Sequence, residues 1–343
     1  MKILLLKPSS LGDVVQALPV LRLLKRHQPQ SQIYWWIESK LAPLLEADPD
    51  LAGIIRFNRR GWATPRNWRE LWRSLQWIRA QSFDWVIDLQ CLTRSGAFAW
   101  LANGALTVGL DEPREGARGY YDLIARRPSF YTHAVDWYLS VLPLLGVPAD
   151  PPFEWLPPQK KVAEALRQKW PLDQARWIVL QPGARWLNKR WPVEHFADLV
   201  QRGAAALPAA YRFAVLGGAE DAPLGERICR AAPQRCLDLT GKLSLLEMIE
   251  CLRLSEAMVT NDTGPMHVAA ALGKPVVALL GPTEPCRTGP YGQIQHVLQR
   301  NLPCVPCLKA RCAYPQPMEC LRSISPAAVF AALQKRLSGI LSS

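Results

Sequence analysis

The sequence has no apolar run near the roughly 20 residues that a membrane-spanning helix requires. Its first residues lack a secretory h-region as well. The apolar stretch in MKILLLKPSSLGDVV runs only from Ile3 to Leu6, with no small-residue cleavage site behind it. The start therefore reads as a first strand entering a loop, and the expected compartment is the cytoplasm. Internal repeats and low-complexity tracts are missing. So is any helix-turn-helix or zinc-finger spacing, which leaves a nucleic-acid-binding role without support. Acidic residues are scarce, 29 against 41 Lys and Arg, for a net charge of +12. That sign suits nucleic acid, an anionic membrane face or an anionic small substrate, and charge alone does not choose among them.

What is present is a globular composition. The 343 residues are 49% apolar and 20% charged, enough to fill two cores of ordinary size. Strand-like runs at 2–7, 32–37, 53–57, 85–89 and 105–108 alternate with helix-period stretches at 14–26, 68–80 and 95–102. The alternation returns in the second half, with runs at 176–180, 212–216, 236–239, 257–259 and 275–279 between stretches at 193–202, 221–230, 244–252 and 265–272. Strands alternating with helices imply parallel sheets covered on both faces. Pro148, Pro151, Pro152, Pro157 and Pro158 crowd the middle of the chain, where neither a helix nor a central strand can continue. The expected class is α/β, with two Rossmann-like doubly wound domains facing a cleft. The first covers 1–150, a proline-rich linker 151–160, the second domain 161–325, and a closing helix 326–343.

Three loops at the carboxyl ends of strands carry chemistry. In Lys7-Pro8-Ser9-Ser10-Leu11-Gly12-Asp13, small residues let the backbone approach a ligand, and Asp13 stands at a helix entrance. There it can be a base that takes a proton from a sugar hydroxyl, or simply a helix cap. In Asn261-Asp262-Thr263-Gly264-Pro265-Met266-His267 a strand, a small-residue turn and a helix start make a diphosphate cradle or an unliganded capped turn. Gly281-Pro282-Thr283-Glu284-Pro285 would form a neighbouring wall. The segment from Gln181 through Gly183 to Pro192 places cations before a helix, and Lys189 can offset charge on a leaving group.

Two other features leave alternatives open. Arg and Trp interleave between Arg59 and Arg79, as in a helix lying on a membrane surface, or in one with Trp72 in the core and Arg on the wet face. Of nine cysteines, five are scattered (Cys91, Cys229, Cys236, Cys251, Cys286) and four bunch at Cys304, Cys307, Cys312 and Cys320. Four thiolates suit a structural zinc or iron, although the second pair is wider than in a zinc ribbon; four free thiols are the alternative.

The segments SSLGDVVQALPVL, Val86-Ile87-Asp88-Leu89-Gln90, LNKRWPVEHF and TNDTGPMHVAAALGKPVVALLGPTEP resemble the lipopolysaccharide heptosyltransferases, a family of ADP-heptose glycosyltransferases with the GT-B fold (family 9). The resemblance covers essentially the whole chain. It implies an inverting enzyme of bacterial outer-membrane biogenesis that needs no metal for transfer. Heptose would move from ADP-L-glycero-D-manno-heptose onto Kdo or heptose of the lipopolysaccharide inner core. Asp13 would be the general base, beside Ser10 and Gly12. Lys189 would contact the donor phosphates near Gly183, and Asp262, Thr263, Gly264 and His267 would hold the diphosphate and heptose. Glu220 or Asp221 would meet the ribose, and backbone near Leu243 the adenine. Domain closure over the donor would exclude water. The acceptor, lipid A bearing Kdo, is anionic and sits at the inner membrane surface, so a peripheral location is expected, with Arg56, Arg59, Arg60, Arg66, Arg69 and Arg73 facing it. The alternatives are a family relative using another nucleotide sugar or a protein acceptor, and a non-enzymatic nucleotide-binding protein, which the presence of Asp13 disfavours.

Overall fold

The apolar run Ile3–Leu6 is wholly buried, as a strand covered on both faces must be. It forms β1 (Lys2–Leu6), the first of a set comprising β2 (Gln32–Glu38), β3 (Gly53–Phe57), β4 (Trp85–Asp88), β5 (Leu106–Leu110) and β6 (Leu123–Ala125). The computed structural model describes residues 1–58, 68–112, 115–150 and 154–341. These strands make a six-stranded sheet in the order β3-β2-β1-β4-β5-β6, every pair parallel. Helices α1 (Leu11–His27), α2 (Trp68–Ala80), α3 (Thr93–Leu101), α4 (Ala134–Leu139) and α5 (Val141–Leu144) belong to this unit. Leu75 and Ile78 of α2 join Phe98 and Ala99 of α3 over Leu4, Leu6, Trp36 and Val86, so α2 and α3 cover one sheet face.

The second half repeats the plan. Its strands are β7 (Arg176–Gln181), β8 (Tyr211–Val215), β9 (Cys236–Asp238), β10 (Ala257–Asn261), β11 (Val276–Leu279) and β12 (Val297–Leu298). Their order is β12-β11-β10-β7-β8-β9, again all parallel. Renumbered from β7, this is the strand order of the first sheet. Its helices are α6 (Lys160–Lys169), α7 (Val193–Ala206), α8 (Ala222–Cys229), α9 (Leu245–Leu254), α10 (Gly264–Ala271), α11 (Pro285–Thr288), α12 (Glu319–Arg322) and α13 (Pro326–Leu341). Val329, Leu333 and Leu337 of α13 share one core with Leu180, Phe196, Phe213 and Leu279. Each such aliphatic side chain contributes about 1.5–3 kcal/mol on burial.

The chain divides into two compact units, Met1–Pro157 and Pro158–Ser343. In each, the strand order reverses between the first and fourth strands, β1/β4 and β7/β10. Open α/β sheets bind ligands just outside the carboxyl ends of the strands at such a switch point. The three chemistry-bearing loops all leave strands there or next to it. Of the linker prolines, Pro151 and Pro152 lie outside the described residues, as do Arg59, Arg60, Trp62 and Arg66 of the basic-aromatic run.

Sequence periodicity does not reveal β6 and β12, which are only 3 and 2 residues long. It also passes over α6, whose buried stripe is only Ala163 and Leu166 on an otherwise charged helix.

Candidate active site

In the first unit, Ser10 is the N-cap of α1 and accepts the Val14 amide on its carbonyl at 2.8 Å. Asp13 reaches back to it: the Ser10 amide and hydroxyl both donate to Asp13 Oδ2, at 3.0 and 2.5 Å. The capping role weighed for Asp13 is thus present, and it occupies one oxygen. Toward the other, Oδ1, points the hydroxyl of Tyr138 from α4, at 3.4 Å. Burial pushes the Tyr138 hydroxyl up to about 12, so it remains a proton donor at neutral pH. Lys7 lies beneath, its Nζ 4.6 Å from the centre of the Tyr138 ring and donating to the Leu89 carbonyl at 2.8 Å. Burial pulls the Lys7 ammonium down, but Tyr138 and Asp13 outweigh it and hold Lys7 above its ordinary value. The Asp13 carboxylate thus stands beside a buried cation and a neutral hydroxyl. Gly12 is buried in the first turn of α1.

In the second unit a cavity of about 550 Å³ opens at the β7/β10 switch point, the size of a small-ligand site. Gly183, Glu220, Asp221, Leu243 and Thr263 line it, together with Ser244, Met248 and Pro265. Gly183 has a steric reason: a Cβ there would fall 2.1 Å from Asp221 Oδ2. The structure separates the two ribose candidates. Asp221 is buried, ion-paired with Arg190 at 3.5 Å and accepting from the Gly218 amide at 3.2 Å. Glu220 is exposed at the cavity wall and has no hydrogen-bond or ion-pair partner among the described residues. Glu220 is therefore the one available to a ligand.

The cradle loop is tied to the Gln181–Pro192 segment by Asn261, whose side chain accepts from the Trp191 amide at 3.0 Å and donates to the Pro182 carbonyl at 2.7 Å. This brings Lys189 to Asp262: Nζ donates to Oδ2 at 2.6 Å, and the Thr283 hydroxyl donates to the same oxygen at 2.6 Å. Asp262 Oδ2 thus anchors Lys189 and Thr283 in the cradle. Lys189 also lies 4.8 Å over the Trp186 ring. Gly264 and Pro265 open α10, whose N-terminal end favours an anion; Pro265 carries no amide hydrogen and the Met266 amide donates to the Thr263 carbonyl at 3.1 Å. His267 is half-buried on that helix and is not among the residues lining the cavity.

Sequence reasoning missed Tyr138, which no local pattern marks, and Lys7 as a partner of Asp13. It named Thr283 only as part of a wall. The cysteine set does not form a metal site: among the described residues no three His, Cys, Asp or Glu side chains are grouped to hold an ion. Cys304, Cys307, Cys312 and Cys320 are free thiols. Burial and then the neighbouring Cys312, Cys304 and Cys307 push the Cys320 thiol up to about 11.

The basic-aromatic helix also departs from one of its readings. Leu75 and Ile78 face the core, while Trp72 is 62% exposed alongside exposed Arg69 and Arg73. Trp72 is not a core residue.

Residues 68–317 match the family model described as glycosyltransferase family 9 (heptosyltransferase). The lipopolysaccharide heptosyltransferase 1 of Pseudomonas aeruginosa is 32% identical over 336 residues, covering 93% of this chain and 89% of that protein. The lipopolysaccharide heptosyltransferase 2 of Escherichia coli is 28% identical, covering 87% and 88%. Among solved structures, a family 9 glycosyl transferase from Veillonella parvula superposes with a TM-score of 0.83 at 25% identity, covering 98% and 97%. The E. coli heptosyltransferase WaaC with ADP superposes at 0.77 and 24%, covering 98% and 100%. These matches span both units and give the chain the GT-B fold. Family model, near-complete relatives and the two switch-point sites agree: the chain is a glycosyltransferase and belongs to glycosyltransferase family 9, the heptosyltransferase family.

Proposed function

We propose that the protein transfers heptose from ADP-heptose onto the Kdo–heptose inner core of lipopolysaccharide, with inversion at the anomeric carbon. The observation that carries this is the second unit's cavity, lined by an exposed carboxylate for ribose hydroxyls, Glu220, and by the start of α10 at Thr263 and Pro265, with Lys189 held next to that loop by its ion pair to Asp262. The relatives named as lipopolysaccharide heptosyltransferases support the choice of sugar and acceptor. Asp13 takes the proton from the acceptor hydroxyl as it attacks, while the bond from the anomeric carbon to the ADP oxygen breaks. Lys189 and the start of α10 stabilise the charge that gathers on departing ADP. In this reading no metal takes part, because Lys189 and the helix start supply the positive charge. ADP release is expected with ADP-heptose and a Kdo-bearing lipid A acceptor, at least tenfold above other nucleotide sugars and undiminished by EDTA. Equal release from UDP-sugars, or loss of rate with chelator, would contradict it.

The acceptor is a lipid, and the first unit carries a surface suited to reach it. Trp72 and Trp77 of α2 and Trp100 of α3 are 62%, 45% and 63% exposed, with Arg69, Arg73 and Arg79 beside them on α2. Exposed tryptophans among arginines fit the headgroup layer of an anionic bilayer. In sedimentation with vesicles, binding is expected to phosphatidylglycerol but not to phosphatidylcholine alone. It should fall several-fold in Trp72→Ser/Arg73→Ser. Equal sedimentation of that variant would show that α2 is not the contact.

A further inference from the structure

The second unit holds another cavity besides the donor cavity, and the two share Arg190 in their walls. This one measures about 670 Å³, against about 550 Å³ for the donor cavity. At roughly 30 Å³ per water-sized position it has room for about twenty heavy atoms. Its walls come from the segment before α7, the starts of α7 and α8, and α12. Leu187, Trp191, Val193, Leu224 and Met318 make the lining mainly apolar.

These walls are fixed by the fold. The Trp191 amide donates to the Asn261 side chain at 3.0 Å, and its indole Nε1 donates to the Ile324 carbonyl at 2.9 Å. The Met318 carbonyl accepts from the Leu321 and Arg322 amides, both at 2.9 Å, and Leu321 is buried in the core, so α12 is anchored. Leu187 is nonetheless 70% exposed, a large apolar side chain that the fold leaves to solvent.

Two arginines bring unused donors to the same cavity. Arg322 is exposed, and its guanidinium has no ion-pair or hydrogen-bond partner among the described residues. Arg190 donates from Nε to the Ala184 carbonyl at 2.8 Å but meets Asp221 only at 3.5 Å, longer than a hydrogen bond. The one acid in the lining, Glu194, is already paired with Arg227 at 2.9 Å, so no carboxylate in the cavity is left to offset the two cations.

We propose that this cavity is a second ligand site, that it takes a phosphate monoester on an apolar body, and that its occupant weakens donor binding through Arg190. The phosphate oxygens accept from both guanidinium forks, a geometry that arginine presents ready-made. The apolar body lies against Leu187, Trp191 and Leu224. An Arg190 that turns to the phosphate leaves Asp221, which lines the donor cavity. The uncovered carboxylate and the new phosphate then both repel a diphosphate there. The binding rests on this cavity alone; the coupling rests on reading the first cavity as the donor site.

Naphthyl phosphate is the probe, followed by ligand-observed NMR with protein saturated by ADP, which fills the donor cavity. Binding is expected with Kd on the order of 0.5 mM, the scale for a ligand of about fifteen heavy atoms. Inorganic phosphate and naphthol each bind at least about tenfold more weakly. Arg322→Gln, at an exposed position, lowers probe affinity about tenfold, and Leu224→Trp, which fills the cavity, abolishes binding; both variants keep the wild-type affinity for ADP. Saturating probe raises the Kd of ADP about fivefold, and the rise then levels off, whereas a probe competing inside the donor cavity would raise it without limit. No binding to ADP-saturated wild type, or equal binding by Leu224→Trp, overturns the site. Equal affinity for inorganic phosphate overturns the apolar body as part of the ligand, and an ADP affinity unmoved by saturating probe overturns the coupling. Should ADP itself fail to bind, probe binding that Leu224→Trp abolishes still upholds the second site, and the donor reading falls instead.

Discussion

Asp13→Asn is expected to lower turnover by about 10²–10⁴-fold, the usual loss when a general base is removed, while donor affinity stays within about twofold. The substitution isolates basicity, because an asparagine side-chain oxygen can still accept from the Ser10 amide and hydroxyl that now bind Asp13 Oδ2 at 3.0 and 2.5 Å. The start of α1 should therefore persist, and thermal denaturation should show little change. Asp13→Ala adds the loss of the cap, about 0.5–2 kcal/mol, and should melt lower than Asp13→Asn at the same low activity. The comparison separates the roles the structure superimposes on one carboxylate. If Asp13→Asn turned over within threefold of wild type while Asp13→Ala only lost stability, Asp13 would be a cap and nothing more. Donor affinity should hold because the proposed donor groups, Glu220, Lys189 and the start of α10, belong to the second unit.

The fold was legible because its strands are short, continuous apolar runs with a helical period between them. Ile3–Leu6 and Trp177–Leu180 are buried on both faces, and such runs declare themselves without a partner in view. Elements that escaped notice carry little pattern: two edge strands of 3 and 2 residues, and the charged helix α6. At the site, legibility followed sequence distance. Ser10, Gly12 and Asp13 lie within four residues, and Asp262, Thr263 and Gly264 are consecutive, so a loop motif presents them together. Tyr138 meets Asp13 from 125 residues away, and Lys189 meets Asp262 from 73. Only the folded sheet creates such pairs, so the sequence offered the residues but not their partners. Thus the sequence showed Asp262 in its loop but not that it holds Lys189. The choice between Glu220 and Asp221 was invisible for the same reason, since Arg190, which takes Asp221, lies on another loop. The cysteine spacing left two readings open: the fold makes Cys304, Cys307 and Cys312 neighbours of Cys320, and among the described residues no three His, Cys, Asp or Glu side chains are grouped to hold an ion.

Lys189→Ala is expected to lower kcat/KM for ADP-heptose by about 10²–10³-fold, the scale for removing one preorganised charge from a developing anion. Preference among acceptors should not change if, as proposed, the first unit binds the acceptor. The structure adds a complication that also sharpens the test. Lys189 and Asp262 are ion-paired at 2.6 Å, with side chains 18% and 6% exposed. Removing the lysine alone leaves the Asp262 carboxylate buried, with the Thr283 hydroxyl still donating to it. Such single deletions cost about 3–5 kcal/mol in fully buried pairs, and solvent access at Lys189 should hold the loss below that. A fall in activity could then reflect a disturbed cradle instead of a missing charge. The variant Lys189→Met/Asp262→Asn removes both charges, keeps the volume and leaves Thr283 a partner in the asparagine oxygen, so its melting temperature should return toward wild type. Its kcat/KM for the donor should stay about 10²-fold down, because nothing then offsets the charge on departing ADP. Asp262→Asn alone should lose less, since Lys189 keeps its charge and loses only its anchor. Recovery of donor use in the double variant along with stability would mean that Lys189 serves the fold through Asp262, and that the start of α10 carries the diphosphate unaided.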